Sequence, residues 1–73
     1  MKWNYQIIKD GKRFYLAEVF RTDKGKLKQM WAEIEDTSGG NEYEVKLDIA
    51  NRFHDILKYP LLEVKKGELY DKK

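Results

Sequence analysis

A chain of 73 residues makes one domain, and a domain this short buries only about 60% of the surface that its unfolded chain exposes. Its fifteen Lys/Arg against thirteen Asp/Glu leave a net charge of +2, and its lack of cysteine excludes disulfide staples and thiolate metal sites. No apolar run approaches the roughly 20 residues of a membrane helix.

The core must therefore come from elsewhere. Ten aromatic residues are the supply, since each buries a large area. The charge is unevenly spread. Residues 1–31 carry eight basic against three acidic side chains, residues 32–63 carry three against eight, and residues 64–73 carry four against two. Such polarity steers an acidic partner toward the first half. The opening Met1-Lys2-Trp3-Asn4-Tyr5 has no apolar signal-peptide core and no small-residue cleavage site, so a cytoplasmic protein is expected.

Residues 3–9 alternate large apolar with polar side chains, the pattern of a half-buried strand. Asp10-Gly11 signals a two-residue hairpin loop of type I′. Residues 13–21 form the second strand. With that loop Lys9 pairs with Lys12, Ile7 faces Phe14, Tyr5 faces Leu16 and Trp3 faces Glu18. One face then holds Trp3, Tyr5, Ile7, Phe14, Leu16 and Phe20, and is the candidate core. The other holds Asn4, Gln6, Ile8, Arg13, Tyr15, Ala17 and Val19.

Thr22-Asp23-Lys24-Gly25 is a second turn, with Gly25 placed for left-handed backbone. A third strand follows over residues 26–34. Depending on a bulge, either Met30, Ala32 and Ile34 or Leu27 and Trp31 join the core face. The first choice is preferred, and it leaves Trp31 on the outer face near Ala17. Lys24, Lys26 and Lys28 suit an edge strand, where lysines discourage further pairing.

Residues 36–41 compose a loop, and Asn41 with Glu44 three residues on makes a capping-box-like helix start. Val45, Ile49, Ala50, Phe53, Ile56 and Leu57 fall within an arc of about 140°, opposite Glu44, Asp48, Asn51, Asp55 and Lys58. Pro60 ends a helix of about 17 residues. The short apolar segment 61–64 follows, and the charged residues 65–73 are expected to fray. The expected architecture is a single α+β domain over residues 1–64. A three-stranded antiparallel meander is followed by one amphipathic helix on one face (β-β-β-α), with a short apolar extension and a disordered tail.

Little here suggests an enzyme. His54 is the sole histidine, and it sits at the margin of the apolar arc. Thr22, Thr37 and Ser38 all lie in turns or loops, and no motif joins Ser38 to His54. Glu33, Glu35 and Asp36 fit a solvated strand face better than a metal site. The segment 38–41 lacks the lysine of a phosphate loop and the third glycine of a dinucleotide fingerprint. No cofactor and no metal are expected.

Binding remains. An outer face carrying Tyr15, Val19 and Trp31, extended by Leu61 and Leu62, is more apolar than a solvated sheet requires and marks an interface. The expected partner is a second copy or another protein. The alternative is single-stranded nucleic acid stacked on sheet aromatics, with Lys12, Arg13, Arg21 and Lys28 neutralising phosphates.

The run Trp3-Asn4-Tyr5-Gln6-Ile7-Ile8, then Tyr15-Leu16-Ala17-Glu18-Val19-Phe20 and an Asp23…Gly25 turn, resembles a group of short uncharacterised bacterial proteins. These open with a Trp-Asn-Tyr-x-Ile strand and continue with an aromatic–x–x–Glu-Val-aromatic strand. The likeness covers residues 3–25 and extends to the helix and Pro60-Leu61-Leu62 by layout. A longer loop at 36–41 and a longer basic tail set this chain apart. The resemblance implies the fold and brings no activity with it. The β-β-β-α order is also similar to the small sheet domain of HicB-like antitoxins, which implies a toxin-binding or self-associating role. No appended DNA-binding segment accompanies it here.

Overall fold

The structure, a computed structural model, describes residues 2–35 and 40–71. The loop residues 36–39 and the last two lysines of the expected tail lie outside the described residues. The chain forms β1 (Lys2–Asp10), β2 (Arg13–Arg21), β3 (Leu27–Glu33), α1 (Glu42–Lys58), β4 (Leu62–Lys65) and β5 (Glu68–Asp71). The class is α+β, as expected, but the sheet has five strands in the order β3-β2-β1-β4-β5 rather than three in a meander. It is mixed, because β4 runs parallel to β1, with Ile8 opposite Leu62 and Asp10 opposite Val64. A parallel strand needs a crossover, and α1 supplies it on the way from β3 to β4.

The first hairpin turns on Gly11-Lys12 rather than Asp10-Gly11, so Asp10 pairs with Arg13, Ile7 with Leu16 and Trp3 with Phe20. The physical reason is conformational. A type I′ turn on Asp10-Gly11 needs positive φ at both residues, whereas this turn asks it of Gly11 alone (φ 64°). Opposite charges then close the ladder at Asp10 and Arg13. The register moves by two residues, so every side chain keeps its expected companions on its face.

Tyr5 is buried as expected, but otherwise the main core lies on the opposite face. Ile8, Ala17, Val19, Leu62 and Leu69 form the core, with Tyr15, Leu27, Trp31 and Val64 packed against it. Trp3 and Phe14, expected inside, are 50% and 60% exposed. The cause is curvature. The sheet curls until its two edge strands meet, and the Gln29 side chain fastens them by accepting from Leu69 N at 2.7 Å and donating to Leu69 O at 3.2 Å. The concave side holds Ala17 and Val19 together with the Tyr15 and Trp31 rings, and Phe14 lies on the convex side.

Closure depends on the segment expected to fray. Lys66 and Gly67 take positive φ (53° and 77°), a two-residue turn that lets β5 return beside β4 and bury Leu69. The second turn and the helix conform to expectation. Gly25 has φ 85° and its N–H bonds Thr22 O at 2.9 Å. The Asn41 side chain accepts from Glu44 N at 2.9 Å, while the Glu44 carboxylate accepts from Gly40 N at 2.6 Å. The helix spans 17 residues and Tyr59 N closes its last turn on Asp55 O.

Candidate binding surfaces

The helix meets the sheet with the wrong side for a simple amphipathic packing. The Tyr5 hydroxyl donates to Asp48 at 2.8 Å, and the Tyr5 backbone N–H donates to the Asp55 carboxylate at 2.9 Å. Arg52 pairs with Asp48 at 2.8 Å and lies 5.2 Å from the centre of the Tyr5 ring. Tyr5 is buried beneath this polar flank, and burial together with the bond to Asp48 holds its phenol above the ordinary value. The helix itself buries no residue fully. Val45 and Ile56 are half-buried, while Ile49, Phe53 and Leu57, in the rest of the apolar arc, stand exposed.

Among the described strands, α1 packs against β1 alone. The convex face of β2 and β3 is covered only in part. Phe14, Leu16 and Phe20 on β2 share that face with Met30 and Ala32 on β3, because Glu18 pairs with Ala32 and Val19 with Trp31. Phe14 and Met30 are more than half exposed, and Leu16 and Phe20 are half-buried. A partly uncovered apolar sheet face and an exposed apolar helix stripe thus coexist on one small domain.

The residues expected at an interface are placed differently. Val19 and Leu62 are wholly buried in the core, so neither presents a surface. Tyr15 and Trp31 are half-buried against the same core, where the indole N–H donates to the Tyr15 hydroxyl at 3.1 Å. Leu61 is half-buried beside β4. Phe14, Met30, Ile49, Phe53 and Leu57, which periodicity places in the core, are exposed instead. Periodicity reports which side chains travel together, and says nothing of which side curls inward.

The cations of the nucleic-acid reading do not form one patch. Lys12 and Arg13 lie at one end of β2 and Arg21 at the other, eight residues or about 26 Å away. Lys28 is half-buried on β3. Arg13 is occupied by an ion pair with Glu33 and lies 4.7 Å from the centre of the Tyr15 ring. That pairing holds the Glu33 carboxyl below its usual range. His54 is exposed, 3.7 Å from Asp55, and Ser38 lies outside the described residues. Among the described residues no helix is long and apolar enough to cross a membrane, and no cluster of three His, Cys, Asp or Glu is placed to hold a metal.

A second feature escaped the sequence reading. Asn4 and Gln6 point into the concave side and are buried (3% and 0% exposed), where unpaired amides are costly. Both serve Arg21. Its Nε donates to Asn4 Oδ1 at 2.6 Å, Nη2 to Gln6 Oε1 at 2.9 Å and Nη1 to Gly25 O at 3.0 Å. Gln6 Nε2 in turn donates to Pro60 O at 2.7 Å, and the Arg21 guanidinium lies 5.0 Å from the centre of the Tyr59 ring. Beside this network opens a cleft of about 450 Å³, lined by Lys2, Trp3, Asn4, Arg21, Gly25 and Tyr59. The signal for it in the sequence was the pair of amides at alternate positions of a strand whose same-facing neighbour is Ile8.

Comparison of the chain with protein-family models, with curated proteins and with solved structures finds no match.

Proposed function

We propose that this protein is a non-enzymatic, self-associating interaction module whose partner surface is the apolar stripe of α1 together with the convex face of β2 and β3. One observation carries this reading: the helix holds its own sheet by Asp48, Arg52 and Asp55, and turns Ile49, Phe53 and Leu57 away from it. Exposed apolar surface of this kind marks interfaces. At these exposures each large side chain offers on the order of 100 Å². Three helix residues alone thus fall well short of the roughly 800 Å² per partner in a stable complex. The exposed Phe14 and Met30, with smaller shares from the half-buried Leu16 and Phe20, enlarge the patch toward that area. A two-fold pair in which each helix stripe lies on the other copy's convex face satisfies both surfaces at once, as an isologous contact requires.

The test is solution mass across a concentration series, by light scattering behind a sizing column. Wild type is expected as a dimer, and Phe53→Glu as a folded monomer with unchanged circular dichroism. A monomer at every concentration would remove self-association from the account.

A further inference from the structure

We propose that the cleft at Arg21 binds phosphate, free or as the monoester group of a small molecule, with Arg21 and Lys2 as its cationic partners. This site is separate from the apolar surface, and it does not include the cations at the far end of β2.

The first support is the state of the guanidinium. Arginine offers five N–H donors. Three are taken by neutral oxygens of Asn4, Gln6 and Gly25, and none of these acceptors is a carboxylate. One donor remains on each terminal nitrogen, a pair suited to two oxygens of one oxyanion. Asn4 and Gln6 are buried and bonded to each other at 2.9 Å, and Gln6 is tied in turn to Pro60 O. The guanidinium is therefore fixed before any ligand arrives, which lowers the ordering cost of binding. Arg13, on the same face of the same strand, already holds the Glu33 carboxylate.

The second support is the strand register. Lys2 stands directly opposite Arg21 in the β1–β2 ladder, and both line the cleft. Like charges in directly opposed positions destabilise a strand pair. The other end of the same ladder closes with Asp10 against Arg13, a pair of opposite sign. An anion between Lys2 and Arg21 converts their repulsion into attraction to a shared partner.

The chemistry of the walls narrows the ligand. The register turns the Trp3 ring to the other face, where it meets Tyr5 edge-on. The ring on the cleft side is Tyr59, whose centre already lies 5.0 Å from the Arg21 guanidinium and 5.4 Å from Lys58 Nζ. The cleft thus selects its ligand by the anionic group. A phosphate monoester carries about −1.5 to −2 at neutral pH, against −1 for a carboxylate, and two cations favour the former. A volume of about 450 Å³ leaves room for a small molecule attached to it.

The experiment is calorimetric titration of the full chain at low ionic strength with inorganic phosphate, with glycerol 3-phosphate and with acetate. Both phosphates are expected to bind saturably and at least about tenfold more tightly than acetate, the scale of one further charge-assisted hydrogen bond. Lys2→Gln, at an exposed position outside the buried network, should weaken both several-fold and leave the circular dichroism unchanged. Arg21→Lys should weaken both by losing the fork. If it unfolds the chain, Lys2→Gln decides. Lys12→Gln, at the far end of the hairpin, should leave both affinities as they are. Tighter binding of glycerol 3-phosphate identifies a phosphorylated small molecule as the source, and equal binding identifies free phosphate. Absence of saturable heat at millimolar phosphate, acetate binding as tightly as phosphate, or affinities untouched by Lys2→Gln would overturn the proposal.

Discussion

The Tyr5 hydroxyl donates a 2.8 Å hydrogen bond to Asp48, and through it the polar flank of the helix is seated on β1. A hydrogen bond to a charged group contributes about 1.5–3 kcal/mol. Tyr5→Phe keeps the ring beneath Arg52 and removes only the bond, so it should cost about 2 kcal/mol in urea unfolding. The phenol is held above its ordinary value of 10 by burial and by Asp48. Its contribution is complete below pH 10. Between 10 and the raised value the unfolded chain sheds a proton that the folded chain keeps, so stability falls as pH rises through that window. The fall from pH 9 to pH 11 should be smaller in Tyr5→Phe than in wild type. Equal falls would show that the bond is not made.

The inverted core predicts an inverted response to substitution. Val19 is wholly buried, and Val19→Ala should cost about 2–3 kcal/mol through lost burial and a cavity. Phe14, the larger residue, is 60% exposed, and Phe14→Ala in the monomer should cost under about 1 kcal/mol. Denaturant midpoints of the two variants in a Phe53→Glu background check the order. A larger loss at Phe14 would place the core on the convex face.

Leu69 tests the closing strand. It is 2% exposed, and its backbone is fastened to Gln29 across the seam. Leu69→Ala should cost about 2–4 kcal/mol, far above the effect of a change in a frayed tail. Native-state amide exchange should show Leu69 N–H protected as well as Ile8 N–H.

The buried network is sensitive to loss of one member. Gln6 accepts from Asn4 and Arg21 and donates to Pro60. Gln6→Leu keeps the volume and strands the guanidinium against an apolar side chain, which should cost about 2–4 kcal/mol in thermal or urea unfolding. Lys2→Leu nearby should be silent.

Much of this fold was legible in the residues. The first two strands, the Thr22–Gly25 turn, the Asn41 cap and the Pro60 stop each follow from local chemistry, and the structure keeps them. Alternation also grouped Trp3, Tyr5, Ile7, Phe14 and Leu16 correctly on one face. The choice of buried face was not local. It depends on β4 and β5 bringing Leu62 and Leu69 beneath Ile8, and the β4–β5 turn reads as mere charge in Lys65-Lys66-Gly67-Glu68. The helix arc misled for a related reason. Apolar periodicity indicates that a surface will be covered, and here Asp48, Arg52 and Asp55 claim the chain's own sheet instead. The Arg21 cleft draws on β1, β2, the Gly25 turn and Tyr59, which only the fold brings together.

The most direct test is an isotope-filtered nuclear Overhauser experiment on a mixture of labelled and unlabelled chains, which reports contacts between copies alone. The account predicts cross-peaks from the Phe53 ring and Leu57 methyls of one copy to Met30 and Leu16 of the other. A dimer with cross-peaks elsewhere, and none from the helix stripe, would contradict it.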